Sequence, residues 1–193
     1  MDNAAFEKSP ANWLAGIVFE QPFRIDALIG QAVSAFKARG LEVAGVTQTY
    51  SDTPGCSGSQ LRLQSIDGAM DMPIMEPRGH FSKGCRLDYR AMADATAWIE
   101  NTLDDEADLI VLNRFGRAES EGNGLRTILQ RCAEEERPTL IAVRKDYVAA
   151  WNEFHGGLGD VLPANLDAIV DWYLRLPRQP NDEFAGRQNP SLL

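Results

Sequence analysis

Leu109-Ile110-Val111-Leu112 is an unbroken apolar run, and similar runs occur at Leu14-Ala15-Gly16-Ile17-Val18-Phe19 and at Thr139 to Val143. Residues apolar in succession leave no wet face, so such runs suit strands covered on both sides, as in a parallel sheet. Between the first run and the next, Ile25, Leu28, Ile29, Ala32, Val33 and Phe36 recur at helical spacing, and Gly40 ends that helix. Leu41 to Thr47 is β-branched and apolar enough for a second strand. The βαβ unit so formed should cross over right-handedly. A three-layer α/β domain with a mainly parallel sheet is therefore expected.

The rest of the chain continues the alternation. Ser51 to Ser59 is rich in turn residues, and Leu61, Leu63 and Ile66 then alternate with polar residues up to Asp67-Gly68, which predicts a β-hairpin near Gln60 to Met75. Tyr89 to Leu103 reads as a helix with Asp88 placed to cap it. Gly122 to Glu136 carries Leu125, Ile128, Leu129 and Cys132 on one helical face, which assigns Cys132 to the core. Pro138 ends that helix, and helices are expected at Tyr147 to Phe154 and Leu166 to Leu176. His155-Gly156-Gly157-Leu158-Gly159 follows a helix and reads as its C-terminal turn. Residues 1–12 are expected to be an N-terminal arm, 13–177 a single α/β domain and 178–193 an irregular tail.

At 193 residues with 44% hydrophobic side chains, the chain can bury a core without disulfides or metal. Nineteen Lys and Arg against 28 Asp and Glu give a net charge of −9, which disfavours nucleic acid and anionic membrane surfaces as partners. The six-residue run from Leu14 lacks a basic leader, so neither a signal peptide nor a membrane span is expected, and cytoplasm is the default location. Cys56, Cys85 and Cys132 cannot all pair within one chain and suit reduced thiols.

In an open parallel sheet, ligands collect beyond the carboxyl ends of the strands, here after Phe19, Leu112 and Val143. After Phe19 stands Glu20-Gln21-Pro22-Phe23-Arg24-Ile25-Asp26, without the glycines and lysine of a phosphate-cradling loop. After Leu112 stand Asn113 and Arg114, an amide and a cation where a magnesium site needs a carboxylate.

The stretch Ala107 to Arg117, with Glu119 and Glu121 to Leu125, resembles a bacterial family of unknown function, and Gly84 to Asp88 and Lys37 to Gly45 carry the same likeness. The resemblance covers roughly Leu14 to Gly157. That family is similar in its order of elements to small P-loop nucleoside triphosphatases with a β-hairpin after the second strand, and some members bear the name of molybdate-transport ATP-binding proteins. The resemblance implies a P-loop NTPase-like topology with degenerate Walker motifs. Fold likeness alone does not assign an activity.

The residues themselves suggest an anion site. Arg78, Lys83, Arg86 and Arg90 place four cations in thirteen residues, among the loosening residues Gly79, Ser82 and Gly84, just before a helix N-terminus whose amides favour an oxyanion. Arg114 and Arg117, beyond the central strand, can donate paired hydrogen bonds to the same anion. Gln21, Arg24, Lys83, Gly84, Cys85, Arg86, Asn113, Arg114 and Arg117 form the expected set. The alternative for each arginine is a surface ion pair that marks nothing. Cys85, near His80, Lys83 and Arg86, is packed, ligand-contacting or a nucleophile, and Cys56 joins it only if the two approach in space. Glu119 and Glu121 are either water-positioning acids or helix-dipole partners. No metal ligands are assigned.

The leading expectation is a noncatalytic or weakly catalytic protein that binds a small oxyanion, with molybdate, tungstate or a nucleotide phosphate as ligand. The molybdate choice comes from the resemblance. A divergent magnesium-dependent nucleoside triphosphatase using Glu119 or Glu121 is the alternative, and a protein-interaction scaffold with a vestigial site the third. The expected partners beyond the anion are a second copy of the chain or a metal-transport or metalloenzyme-maturation protein.

Overall fold

The computed structural model describes residues 11–52, 59–77, 85–103 and 106–177. Strand β1 (Leu14–Phe19) leads into helix α1 (Ile25–Lys37) and then β2 (Val43–Asp52). A hairpin of β3 (Ser59–Ser65) and β4 (Asp71–Pro73) follows, then a small ribbon of β5 (Met75–Pro77) and β6 (Cys85–Leu87). The second half runs α2 (Tyr89–Thr102), β7 (Leu109–Phe115), α3 (Arg117–Ser120), α4 (Arg126–Glu134) and β8 (Thr139–Arg144), then a 3-10 turn at Lys145–Tyr147, α5 (Val148–His155), β9 (Gly159–Pro163) and α6 (Leu166–Leu174). Seven strands form one sheet in the order β4-β3-β2-β7-β8-β1-β9. Its central pairs are parallel, and β3 and β4 extend it antiparallel. This is the three-layer α/β fold expected from the apolar runs.

Successive strand residues point to opposite faces, and both faces are covered. Ile110, Leu112, Ile141 and Val143 pack with Ile99, Leu129, Cys132 and Trp151 from α2, α4 and α5. Leu109, Val111, Leu140 and Ala142 pack with Ile29, Phe36, Ile169 and Trp172 from α1 and α6. Each fully buried aliphatic or aromatic side chain of this kind contributes about 1.5–3 kcal/mol. Burial pushes the Cys132 thiol pKa up, so this cysteine is a core residue without nucleophilic character.

Several elements differ from the sequence expectations. The helix read over Gly122 to Glu136 begins only at Arg126, because Gly122 (φ 89°) and Gly124 (φ 63°) lie outside right-handed helical space. β2 extends to Asp52 because the hairpin strand β3 supplies a second ladder partner. The β5–β6 ribbon and β9 had no signal in the apolar pattern. The expected tail, and all of the expected arm except Ala11 and Asn12, lie outside the described residues. Those two are tied down, Ala11 N–H donating to Arg175 O (3.1 Å) and Asn12 Nδ2 to Asp160 Oδ1 (2.9 Å). Among the described residues no helix is long and apolar enough to cross a membrane.

The turn after α5 titrates. Gly156 takes the left-handed cap conformation, and the His155 Nδ1 accepts hydrogen bonds from the Gly157 and Gly159 N–H groups, each at 3.1 Å. Burial lowers the His155 pKa, and a protonated Nδ1 can no longer accept. A depressed folded-state pKa makes the unfolded chain bind more protons. The stabilisation from this residue is therefore present above the ordinary imidazole range and lost as pH falls through the folded value. His155→Asn is expected to be about 1 kcal/mol less stable than wild type at pH 7.5 and to converge toward it at pH 5 in urea titrations. A constant difference between the two proteins would show that His155 does not titrate in this way.

Candidate functional site

The carboxyl edge of the sheet is shaped by two local irregularities. β2 pairs with β7 only through Gly45↔Val111, and from Val46 onward its ladder runs with β3. Beyond that hand-over, side chains bridge what the backbone no longer pairs. Asn113 Nδ2 donates to Gln48 Oε1, Gln48 Nε2 to Tyr50 Oη at 3.1 Å, and Arg114 Nη2 to the same hydroxyl at 3.4 Å.

The second irregularity is a bulge. The β7–β8 register passes from Leu112↔Ile141 to Arg114↔Ala142, leaving Asn113 as the extra residue. Strict alternation from Ile110 and Leu112 would send Arg114 to the α2–α4–α5 face. The bulge instead gives that face Phe115 and turns Arg114 toward α1. There its guanidinium lies over the Phe19 ring at 5.5 Å, and Nη2 contacts Asp26 Oδ2 at 2.8 Å and Oδ1 at 2.9 Å. Arg114 Nε and Asn113 Oδ1 are buried without hydrogen-bond partners, and Asn113 as a whole is 5% exposed.

Next to this cluster is the crevice where β1 and β8 send their following helices to opposite faces of the sheet, the place where such sheets hold ligands. Lys145, just after β8, meets Glu20, just after β1, at 3.0 Å. Two cations from the ends of β7 and β8 thus face two carboxylates, Glu20 and Asp26, from the β1–α1 segment.

Among the described residues, this edge lacks the usual features of a phosphate-cradling loop and a metal-holding strand end. A phosphate cradle needs convergent free amides. In the β1–α1 segment Phe23 N–H donates to Glu20 O (2.9 Å), Ile25 N–H to Phe23 O (3.1 Å), and Pro22 has no N–H. The segment contributes negative charge, and β7 ends in an amide and a guanidinium. Among the described residues no three His, Cys, Asp or Glu side chains gather to hold a metal ion.

The expected anion residues are distributed as follows. Gln21 and Arg24 are exposed on the β1–α1 segment, with no side-chain hydrogen bond among the described residues. Asn113 and Arg114 form the cluster. Arg86 pairs with Glu76 across the ribbon (2.6 Å), and Arg117 pairs with Glu121 one turn on (2.7 Å), both exposed as in the surface-pair alternative. The hydrogen bond to Glu121 holds the Arg117 pKa up. Lys83, Gly84, His80 and Cys56 lie outside the described residues, as does the Cys85 side chain. The Cys85 backbone pairs with Pro77. The start of α2 is not free for a ligand: Asp88 Oδ1 accepts from Arg90 N–H (2.9 Å) and Ala91 N–H (3.1 Å). This corrects the expectation of open amides at that terminus.

Glu119 is a clamp. Its carboxylate accepts from Gly116 N–H (2.9 Å) and Leu125 N–H (3.1 Å), and burial raises its pKa. Both oxygens therefore hold the β7–α4 connection in shape. Glu20, Asp26, Gln48, Tyr50 and Lys145 were not in the expected set. Lys145 had a signal, its place directly after an apolar strand. A separate cavity of about 230 Å³ opens at the opposite edge of the sheet, among Glu42, Gly45, Asp67, Trp98, Thr102 and Leu103, away from the polar cluster.

Comparison with known proteins agrees with this architecture. The chain is 29% identical over 187 residues to Molybdenum import ATP-binding protein ModC 2 of Bradyrhizobium diazoefficiens. The match covers 93% of this chain and 20% of that protein, so the chain spans about a fifth of the relative's length. The crystal structure of THEP1 from the hyperthermophile Aquifex aeolicus superposes with a TM-score of 0.52 at 11% identity, covering 80% of this chain and 91% of that one. That likeness shows the fold, a P-loop NTPase-like α/β scaffold. Residues 14–172, from the start of β1 into α6, match the family described as "Protein of unknown function (DUF2478)", and the chain belongs to that family.

Proposed function

We propose that this chain is a binding module that takes a small oxyanion at the carboxyl edge of a P-loop NTPase-like scaffold, without efficient hydrolysis of nucleoside triphosphates. The observation that carries the reading is the Arg114–Asp26 pair. A β-bulge turns a guanidinium into the ligand crevice, and it holds an oxyanion, the Asp26 carboxylate, at the first turn of the helix that follows β1. Lys145 and Arg24 add positive charge from the adjoining segments and Gln21 an exposed amide, and the buried Asn113 braces the cluster behind Arg114. Arg86 and Arg117, neutralised by Glu76 and Glu121, take part only by leaving those partners. Molybdate and tungstate lead the ligand list because the curated relative is named for molybdenum import. A nucleotide phosphate offers the same oxygens to the same groups. The ATP binding in that relative's name belongs to a protein about five times as long, and a β1–α1 segment without glycine or lysine and a basic β7 end argue against assigning it to this chain.

A second reading, a partner-binding scaffold with a vestigial site, is favoured by one observation. Phe23, Tyr50 and Tyr89 are 43%, 55% and 63% exposed, and all three belong to segments at the carboxyl edge. A thermal-shift panel separates the readings. An oxyanion binder is stabilised by molybdate, tungstate or phosphate without magnesium, by about 2.7 kcal/mol at a hundredfold excess over Kd. Arg114→Ala is expected to weaken binding at least tenfold, about 1.4 kcal/mol, as a charge-assisted hydrogen bond is lost. Phosphate release from ATP or GTP that requires a divalent cation would establish the hydrolase instead. No shift with any anion or nucleotide would leave the scaffold.

A further inference from the structure

The Arg114 guanidinium at the centre of the proposed site already has a partner, Asp26, at 2.8 Å. Asp26 engages Arg114 through Nη2 alone, with both carboxylate oxygens on one nitrogen, while the neighbouring Nε has no acceptor. A guanidinium grips an oxyanion best with two nitrogens in parallel, so the internal pair leaves half of the fork unused. Both side chains are about a quarter exposed, 27% for Arg114 and 28% for Asp26, so the pair can part without opening the core. The cluster behind it is also unsaturated, since the buried Asn113 Oδ1, linked to Arg114 through Gln48 and Tyr50, has no donor.

Resting on the oxyanion reading, we infer that Asp26 is a built-in occupant of the ligand position. Its carboxylate competes with the incoming anion for Arg114, and binding exchanges the one-nitrogen internal pair for a two-nitrogen grip on the ligand. The same group sets an affinity threshold: abundant weak anions do not displace Asp26, while a dianion with correctly spaced oxygens does. An occupant present nine-tenths of the time lowers apparent affinity about tenfold, which is the size of effect to look for.

The test is calorimetric titration of the full chain with molybdate and, separately, inorganic phosphate, without magnesium. Wild type is compared with Asp26→Asn, Arg114→Ala, the double variant Asp26→Asn/Arg114→Ala, and Asp171→Asn, which removes one exposed negative charge on α6 outside the site. Asp26→Asn is expected to bind about tenfold tighter than wild type, Asp171→Asn within about threefold of it, and the double variant to lose the gain. Asp26→Ser runs alongside, so that misfolding of one variant does not decide the matter. Equal binding by wild type and both Asp26 variants overturns the competitor role and leaves the oxyanion reading standing. An equal gain from Asp171→Asn also overturns it, by reducing the effect to net charge. Absence of binding by wild type and every Asp26 variant overturns the oxyanion reading itself.

Discussion

Gly45→Ala is expected to destabilise the chain by about 4 kcal/mol, enough to leave much of it unfolded at 37 °C. Gly45 has φ +109°, where an L side chain is strained, and a Cβ there would stand 2.1 Å from the Val111 carbonyl oxygen and 2.9 Å from Val111 C and N. The obstructing atoms belong to the backbone of the buried central strand, which cannot give way as a flexible side chain can. Gly45 is also the last β2 residue paired with β7 before the ladder passes to β3, so any shift disturbs the Gln48–Asn113 contact just beyond. Urea denaturation followed by near-ultraviolet circular dichroism measures the loss. A cost below 1 kcal/mol would mean that the hand-over does not depend on glycine.

Glu119→Ala should cost about 3 kcal/mol, since two buried N–H groups, of Gly116 and Leu125, lose a charged acceptor. Gly124 belongs to the same device, because a Cβ there would lie 2.2 Å from Glu119 Oε1. Glu119→Gln should recover about half of the loss, as its amide presents one acceptor to two donors. The pH dependence follows from the raised pKa of Glu119, caused first by burial and opposed by the backbone hydrogen bonds. A raised folded-state pKa gives stability that is full below the unfolded value and lost as pH rises through the folded one. The penalty of Glu119→Gln, measured by urea midpoints, should therefore shrink from pH 4 to pH 7. A penalty that grows with pH would mean that the two N–H donors outweigh desolvation.

The layers of the fold were legible because their signals are local. A run such as Leu109 to Leu112 needs no partner to read as a doubly covered strand, and Asp88 caps α2 with amides two and three residues away. The missed elements depend on distant partners. β9, made of Gly159, Asp160, Val161, Leu162 and Pro163, has weak strand propensity and exists because β1 offers it a parallel edge. The site was half legible for the same reason. Asn113 and Arg114 stood out because they follow the central apolar run. The turning of Arg114 toward α1 depends on a bulge set by register with β8, which composition does not encode. Lys145 and Glu20 meet across 125 residues. Asp26 reads from the sequence only as an acid in the first turn of a helix, a common dipole partner, until Arg114 is seen against it.

The most direct measurement of where an anion binds is an amide-resolved NMR titration of the wild-type chain and Arg114→Ala with molybdate, in the absence of magnesium. Saturable shifts in wild type confined to residues 20–27, 113–117 and Lys145, and lost in Arg114→Ala, are expected. Shifts centred on the opposite edge around Asp67 and Trp98, or the same response in both proteins, would contradict an anion site at the carboxyl edge.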